Sequence, residues 1–140
     1  MPTEVLFISY FYPPLGGAGV QRSLKFVRYL PEFGFRPLVL TGTGSTEGWW
    51  EPKDPLLGKE SPEDIPVFRP TGPSPSTLPP SRVQRLMGRP GAFAEWWGRQ
   101  ILELGPQVAA RHRPSLIYVT LSPYESLEPA LLLARRLDLP

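Results

Sequence analysis

The fold is decided by the stretch Ile8-Ser9-Tyr10-Phe11-Tyr12-Pro13-Pro14-Leu15-Gly16-Gly17-Ala18-Gly19-Val20-Gln21-Arg22. The apolar run that leads into it, Val5–Ile8, predicts a buried strand of about Glu4–Ser9. Behind it, apolar residues recur every three or four positions, as in an amphipathic helix, at Val20, Leu24, Val27 and Leu30. The sequence therefore predicts a strand, a glycine-rich loop and a helix, in that order.

A second strand follows soon after this helix. Pro31 should kink or stop the helix, because its ring cannot continue the hydrogen-bond ladder, and Gly34 suits a helix end. The apolar run Pro37–Thr41 then predicts the strand. Strand, helix and strand within about forty residues form a βαβ unit, so the sheet should be parallel and its crossover right-handed. The expected fold class is α/β, a Rossmann-like parallel sheet flanked by helices.

The middle of the chain lacks regular periodicity. Turn residues, above all prolines, dominate from 43 to 80, and this segment is predicted to be mostly an irregular loop. Val67-Phe68-Arg69 is the exception and predicts a short third strand. Trp49-Trp50, which lies in the irregular part, is a candidate to stack on a sugar in an acceptor cleft.

Regular patterns return in the last third of the chain. Helical spacing marks Arg82–Met87 and Phe93–Leu104, and Gly105-Pro106 predicts an interruption with a further helical piece to about residue 111. A buried strand is predicted at Ser115–Thr120. The helix Leu127–Leu137 follows, apolar on most sides and therefore expected to be well buried, with Pro129 in its first turn.

The start of this last helix has a recognisable cap. Ser122 and Glu125 have the spacing of a capping box, and Pro123 between them suits a first helical position.

Elsewhere, Trp97 falls on the apolar stripe of its helix and is predicted to be a core residue. The single histidine, His112, stands between arginines and is predicted to have a solvated surface role rather than a catalytic one.

Composition excludes several classes of protein. The net charge is only +2 and basic residues form no large cluster, which argues against nucleic-acid binding. There is no cysteine, so disulfides and thiolate metal sites are excluded, and a reducing cytoplasm is compatible with the chain. The first twenty residues lack the pattern of a secretory signal, and no run approaches the ~18 apolar residues of a membrane span. A cytoplasmic location is expected.

The glycine loop is compatible with binding of a phosphate or diphosphate. It is not a P-loop, because no Walker lysine follows Gly19. It is also not a dinucleotide fingerprint: Arg22 stands where the third glycine should be, and the predicted second strand does not end on an acidic residue. What remains is a glycine loop at a helix N-terminus with an arginine one turn on, which suits an anion. A plain tight βα turn remains the alternative.

Several segments resemble the N-terminal lobe of GT4-type glycosyltransferases of the GT-B fold. The likeness is dense over residues 4–42 and 114–140 and thin between them. Its motifs are Tyr10-Phe11-Tyr12-Pro13-Pro14-x-Gly16-Gly17-Ala18-Gly19-Val20-Gln21-Arg22, Lys25-Phe26, Tyr29-Leu30-Pro31-Glu32-Phe33-Gly34, Pro37-x-Val39-Leu40-Thr41, Pro114-Ser115-Leu116-Ile117-Tyr118, Ser122-Pro123 and Leu133-Ala134-Arg135-Arg136-Leu137.

The resemblance implies one lobe of a two-lobed enzyme that transfers a sugar from a nucleotide-sugar without a metal or other cofactor. The N-terminal lobe receives a carbohydrate or lipid-linked acceptor, and its glycine loop reaches the donor diphosphate, which is held mostly by the C-terminal lobe. The residues implied at the diphosphate are Gly16, Gly17, Gly19 and Arg22. The residues implied on the acceptor side are Tyr12, Ser122, Pro123 and Tyr124.

The resemblance also implies what this chain should lack. Catalytic residues are expected beyond Pro140, so the 140 residues are expected to be a truncated, incomplete GT-B lobe that is inactive alone. Acceptor lobes that handle lipid-linked sugars touch membranes, and the segment 81–104 is the candidate for peripheral contact with the inner face of the cell membrane. The alternative hypothesis is a non-catalytic α/β module that binds a phosphorylated ligand or a protein partner.

Overall fold

The computed structural model describes residues 1–44, 53–75, 81–88, 90–121 and 123–140. Within these ranges four strands form one parallel sheet. The strands are β1 (Thr3–Ile8), β2 (Phe35–Leu40), β3 (Val67–Phe68) and β4 (Leu116–Val119). Their order across the sheet is β3-β2-β1-β4, so β1 lies between β2 and β4. The predicted α/β class, with a parallel Rossmann-like sheet, is confirmed.

The parallel pairing runs the whole length of β1 on its β2 side and the last four residues of β1 on its β4 side. Thr3 of β1 lies opposite Phe35 of β2, and Val5 lies opposite Leu116 of β4. The last four residues of β1, from Val5 to Ile8, are all buried, which explains their continuous apolar run. β4 is half-buried along its length because it is the outermost strand on its side of the described sheet.

The described ranges contain five helices. They are α1 (Ala18–Tyr29), α2 (Pro55–Glu60), α3 (Arg82–Leu86), α4 (Ala92–His112) and α5 (Leu127–Leu137). Successive side chains of a strand point to opposite faces, so the sheet has two cores. Phe7 of β1 packs with α1 and α2, whereas Leu6 and Ile8 pack with α4 and α5. Trp97 is fully buried in the second core, as predicted.

The predictions for the end of α1 are confirmed. The helix ends at Tyr29, and a 3₁₀ turn from Leu30 to Phe33 carries Pro31 near its start. Gly34 then adopts a left-handed conformation with φ of 80°. A glycine has no β-carbon to clash in this conformation, so it ends the helix at little steric cost.

The helices differ from the prediction in two places. The segment 43–80, predicted to be mostly irregular, contains the short helix α2, because Asp54 caps the amides of Leu56 and Leu57 and a proline opens the helix. α4 continues through Pro106 without interruption. A proline inside a helix costs about 3 kcal/mol, and packing of the buried stripe on both sides, from Ile101 to Val108, offsets that cost.

The last helix has the predicted bounds but not the predicted burial. Its buried face is formed by Pro129, Ala130 and Leu133, whereas Leu131 and Leu132 are 52% and 46% exposed. The expectation of burial on most sides is therefore wrong, since only the face toward α4 and the sheet is covered. After α5 a left-handed Asp138 turns the chain back, and the carbonyl of Pro140 accepts a hydrogen bond from the outer edge of β4.

The cap predicted before α5 is replaced by a short turn. A 3₁₀ turn of Tyr124–Ser126 precedes the helix, with Pro123 at its N-cap and no side-chain cap. Ser122, the predicted capping residue, lies outside the described residues. Within the described ranges no helix has both the length and the apolar character needed to cross a lipid bilayer.

Candidate functional site

Two tyrosines anchor the loop after β1 in opposite cores. Tyr10 is 2% exposed and packs edge-on against Phe93 and Trp97, on the α4 side of the sheet. Tyr12 is 1% exposed on the α1 side, and its hydroxyl lies 3.0 Å from that of Ser61. Tyr12 was expected to face an acceptor. Its ring is instead part of the core, because alternate residues of the loop point to opposite faces of the sheet. The buried ring holds the loop in place.

Arg69 ties the same loop to the end of β2. Its Nη1 donates to the carbonyl of Gly42 at 2.9 Å, and its Nη2 donates to the carbonyl of Pro13. Burial lowers the pKa of the Arg69 guanidinium, and the nearby Tyr12 counteracts part of that shift. Burial likewise raises the pKa of Tyr12, against the hydrogen bond to Ser61 and the charge of Arg69. The loop is therefore rigidly held on its inner side.

The outer side of the loop is open at the start of α1. Gly16 is buried, but Gly17 and Ala18 are exposed, and Gly19 is half-buried. Gly17 has φ of 97° and ψ of 172°, a conformation that is essentially restricted to glycine. The predicted glycine loop is thus present. Its exposed residues are Gly17 and Ala18, whereas Gly16 is buried.

Among the described residues, no side chain caps the N-terminus of α1. The helix begins at Ala18, its N-cap residue is Gly17, and its first turn contains no acidic residue. The first amide groups of a helix have no acceptor within the helix, so those of Ala18 and Gly19, which are exposed and half-buried, are available to a ligand, whereas Val20 is fully buried. The helix dipole adds a partial positive charge at the same end. This arrangement can hold an anion by backbone hydrogen bonds.

Arg22 lies one turn into α1 and is exposed. It forms no ion pair with any residue in the described part of the chain. Its guanidinium could therefore approach an anion at the helix start only by lying along the helix surface. The structure leaves Arg22 beside the open amides and does not fix it there.

The residues expected on the acceptor side lie elsewhere or outside the described residues. Tyr124 is 80% exposed and lines a groove of about 930 Å³ between α4 and α5, and Pro123 is half-buried beside it. Residues 12–22 do not line that groove. Ser122 and the Trp49-Trp50 pair are outside the described ranges. The structure therefore does not bring Tyr124 and the glycine loop into one cavity.

The structure adds one polar cluster that the sequence analysis missed. We call the side chains of Ser9, Ser23 and Thr120 the hydroxyl chain; all three are buried. Ser9 follows β1, Thr120 follows β4, and Ser23 is on the buried face of α1. The available signal was a hydroxyl residue directly after each of two apolar strands. The two strands are parallel neighbours and end at the same edge of the sheet, the edge at which open α/β sheets bind ligands.

The histidine lies away from this loop. His112 Nδ1 is 3.9 Å from the carboxylate of Glu4 near the start of β1, whereas the loop follows the end of that strand. In the described ranges no three side chains of metal-binding type come together. The open end of α1 is therefore the feature with the clearest chemical capacity, and that capacity is anion binding.

Comparison with known proteins adds no relative to this description. When the chain is compared with family models, with curated proteins and with solved structures, none of the three comparisons gives a significant match. The fold and the candidate site therefore rest on the geometry of this chain alone, and the glycosyltransferase resemblance enters only as a proposal.

Proposed function

We propose that this chain forms the acceptor-side lobe of a nucleotide-sugar-dependent glycosyltransferase, in which the loop after β1 contacts the donor diphosphate. The observation that carries the proposal is the uncapped, exposed start of α1 at Gly17 and Ala18, without an acidic residue in the first turn. A diphosphate needs several donors and positive potential, and this helix end offers both.

The chemistry assigned to the loop is stabilisation of a leaving group. When the bond between sugar and diphosphate breaks, negative charge grows on the diphosphate oxygen. Backbone amides that already point at that position stabilise the charge without reorganising. In this proposal the amides of Gly17, Ala18 and Gly19, with Arg22, take that role, and no metal is required. The remaining donor contacts and the reacting groups come from a second lobe, and the acceptor is a carbohydrate or lipid-linked sugar.

The surface of the chain is compatible with a further packing partner. Leu131 and Leu132 of α5 are about half exposed, and β4 is the outermost strand on its side of the described sheet. Exposed apolar side chains beside the outermost strand of a sheet favour contact with another protein layer. In the proposal this layer belongs to the rest of the enzyme, which works in the cytoplasm, with peripheral contact at the inner face of the cell membrane.

Binding of a nucleoside diphosphate tests the proposal. We expect UDP or GDP, at millimolar concentration, to shift the amide resonances of Gly17–Val20, and uridine or guanosine, which lack the diphosphate, to leave them unchanged. Binding should be weak, because most donor contacts belong to a second lobe. Shifts confined to other parts of the chain would contradict the proposal.

Thermal melting distinguishes the proposed glycosyltransferase lobe from the alternative, a self-contained module that binds a phosphorylated ligand. A Kd of about 10 µM would add about 2.7 kcal/mol at roughly 1 mM ligand. That gain would raise Tm by roughly 8 °C. We expect a rise of at most about 2 °C with UDP or GDP, since a Kd near 1 mM adds only about 0.4 kcal/mol at that concentration. A large rise would favour the alternative.

A further inference from the structure

Helix α3 and the residue after it expose three apolar side chains. Val83, Leu86 and Met87 are 65%, 89% and 61% exposed. Arg82 and Arg85 of the same helix are also exposed, and neither forms an ion pair with a residue of the described ranges. We call α3 with Met87 the basic ridge. Isolated helices shorter than about 12 residues are marginal in water, so this ridge gains stability by packing on a partner.

The groove between α4 and α5 combines apolar walls with an excess of acidic residues. The two helices approach closely at Gly98, where a β-carbon would lie 3.7 Å from Pro129. Leu127, Leu131 and Leu132 of α5 line the groove and are 40%, 52% and 46% exposed. Its charged lining residues, all exposed and with a net charge of −2, are Glu95, Glu103, Glu125, Glu128, Arg99 and Arg135. We call this surface the acidic groove.

The basic ridge and the acidic groove are complementary in spacing and in charge. A helix that binds in a groove inserts apolar side chains three and four positions apart, and Val83, Leu86 and Met87 have that spacing. Arg82 and Arg85 bring positive charge to a groove that is net negative. No described residue of α3 lines the groove of its own chain. The two surfaces are therefore available to a second copy of the chain.

We propose that the acidic groove binds the basic ridge of a second copy, and that the two copies exchange these contacts around a twofold axis. An isologous pair repeats every contact, so each copy donates one ridge and receives the other. The four glutamates argue against a lipid surface as the occupant of the groove, because anionic headgroups would repel them. The inference goes beyond the proposed function and does not depend on it. In the pair, the exposed leucines of α5 pack on the partner's ridge, and the outer edge of β4 remains for a second lobe.

The size of the two surfaces predicts a weak, reversible dimer. The groove has a volume of about 930 Å³ and accommodates a short helix rather than a whole domain face. Two such contacts fall in the class of small interfaces, below about 1,200 Å², that form transient complexes. Self-association should therefore depend on protein concentration, and also on salt, since part of the attraction is between exposed charges.

Sedimentation equilibrium of the 140-residue chain measures this self-association. We expect the mass to rise from the monomer value of 15.7 kDa toward twice that value between about 10 µM and about 1 mM protein. Raising NaCl from about 0.05 M to about 0.5 M should weaken the dimer at least threefold. A chain that stays monomeric over the whole range, or a dimer that salt does not weaken, overturns the inference.

Three leucine variants identify the surfaces that pair. Leu86→Glu disrupts the ridge, and Leu131→Glu disrupts the groove. Leu56→Glu is the control, because Leu56 is 70% exposed on α2 and belongs to neither surface. Each of the first two should weaken self-association at least about tenfold, a loss of about 1.4 kcal/mol, and the control should stay within about twofold. Wild-type association in Leu86→Glu would indicate groove-to-groove pairing, and in Leu131→Glu ridge-to-ridge pairing; either result overturns the inference.

Mixing the two variants tests the exchange itself. Leu86→Glu keeps an intact groove and Leu131→Glu keeps an intact ridge, so the mixture should form a heterodimer at least about fivefold tighter than either homodimer. No association on mixing overturns the exchange. Anionic vesicles of phosphatidylserine and phosphatidylcholine give the other outcome: binding by the wild type that Leu86→Glu loses, without self-association, would assign α3 to lipid and overturn the inference.

A charge-reversed groove serves if Leu131→Glu melts well below the wild type. Glu125→Lys combined with Glu128→Lys changes two exposed residues and turns the net charge of the groove from −2 to +2. It should weaken self-association at least about tenfold and restore association when it is mixed with Leu86→Glu combined with Arg82→Glu and Arg85→Glu. Self-association at the wild-type level in the charge-reversed groove overturns the inference.

Discussion

Arg69, the residue after β3, donates from Nη2 to the carbonyl oxygen of Pro13 in the loop after β1. Its Nη1 reaches the carbonyl of Gly42, after β2, at 2.9 Å. One half-buried cation therefore joins the loops of three adjacent strands. No carboxylate in the described ranges pairs with it, so the carbonyl dipoles are its main compensation.

Replacing Arg69 should destabilise the whole edge of the sheet. Arg69→Met leaves two buried carbonyls without their donors, and we expect a loss of about 2–3 kcal/mol in the free energy of unfolding. Arg69→Lys keeps the charge but not the two-pronged geometry, so its loss should be smaller. Urea denaturation measures both. The exposed Arg136→Met serves as the control, with a change within about 0.5 kcal/mol. A wild-type midpoint for Arg69→Met would contradict the role.

Any side chain at Gly17 should destabilise the protein, because of the backbone conformation alone. A β-carbon there would meet nothing within 4 Å, but φ is 97°. Gly17→Ala should therefore cost about 1–3 kcal/mol of stability. Gly58 also has open space and sits inside α2, without a positive φ. Gly58→Ala should add about 0.5–1 kcal/mol. Equal effects of the two substitutions on Tm would disprove the strained conformation of Gly17.

Two glycines of α4 should respond oppositely to alanine. A β-carbon at Gly105 would lie 3.0 Å from Leu133 Cδ1 and 3.3 Å from its Cγ, inside a closed core. Gly105→Ala should cost about 1–3 kcal/mol by overpacking. At Gly98 the nearest atom, in Pro129, would be 3.7 Å away, so Gly98→Ala should be neutral or stabilising by up to about 1 kcal/mol.

A double-mutant cycle identifies the cause of the Gly105 effect. Leu133→Ala alone should cost about 2–5 kcal/mol, because it empties a fully buried site. Combined with Gly105→Ala, part of that space is filled again, so the double variant should lose less than the two single losses together. Additive losses would mean that the two positions do not pack on each other.

The raised pKa of Tyr12 predicts how the free energy of unfolding changes at high pH. Burial raises its pKa above the ordinary value of 10.0, so the folded state keeps the proton longer than the unfolded chain does. This contribution is complete below pH 10 and is lost as pH rises through the higher folded pKa. The urea midpoint should therefore fall more between pH 8 and pH 10.5 in the wild type than in Tyr12→Phe. The same fall in both proteins would show that Tyr12 ionises freely.

The sheet and most helices follow from local patterns, and the exceptions have physical causes. Apolar runs and the βαβ spacing were sufficient for β1, α1 and β2, where local and tertiary preferences agree. Pro106 was misread because the packing of α4 against α5 overrides a local helix breaker. α2 was missed because it is short, although Asp54 followed by a proline is an ordinary helix start.

The candidate site was predictable in location but not in detail. The glycine loop could be recognised from Gly16, Gly17 and Gly19, because glycines after a strand and before a helix have few other uses. The burial of Tyr12 depends on which core the loop enters, and the hydroxyl chain depends on Thr120 lying beside Ser9, 111 positions earlier. A hydroxyl residue after each of two apolar strands marks Ser9 and Thr120 in the sequence, but neither their contact nor the burial of Tyr12 follows from a local pattern.

If the open N-terminus of α1 binds a diphosphate, as we propose, a charge placed at Ala18 should interfere with binding. Ala18 is exposed at the first position of the helix. Ala18→Glu puts a carboxylate where the ligand should lie, and it should leave the helix as stable as before or add about 0.3–1 kcal/mol through the dipole. Ala18→Gln has nearly the same shape without the charge.

The measurement is a titration with pyrophosphate in which binding is read from amide chemical shifts. It is carried out at low salt, because salt screens exposed charges. The Tm of each unliganded protein is measured in parallel. We predict saturable shifts at Ala18, Gly19 and Val20 in the wild type and in Ala18→Gln. In Ala18→Glu we predict at least about fivefold weaker binding with an unchanged or higher Tm. Equal binding in Ala18→Glu and Ala18→Gln, or wild-type shifts only at other residues, would contradict the account.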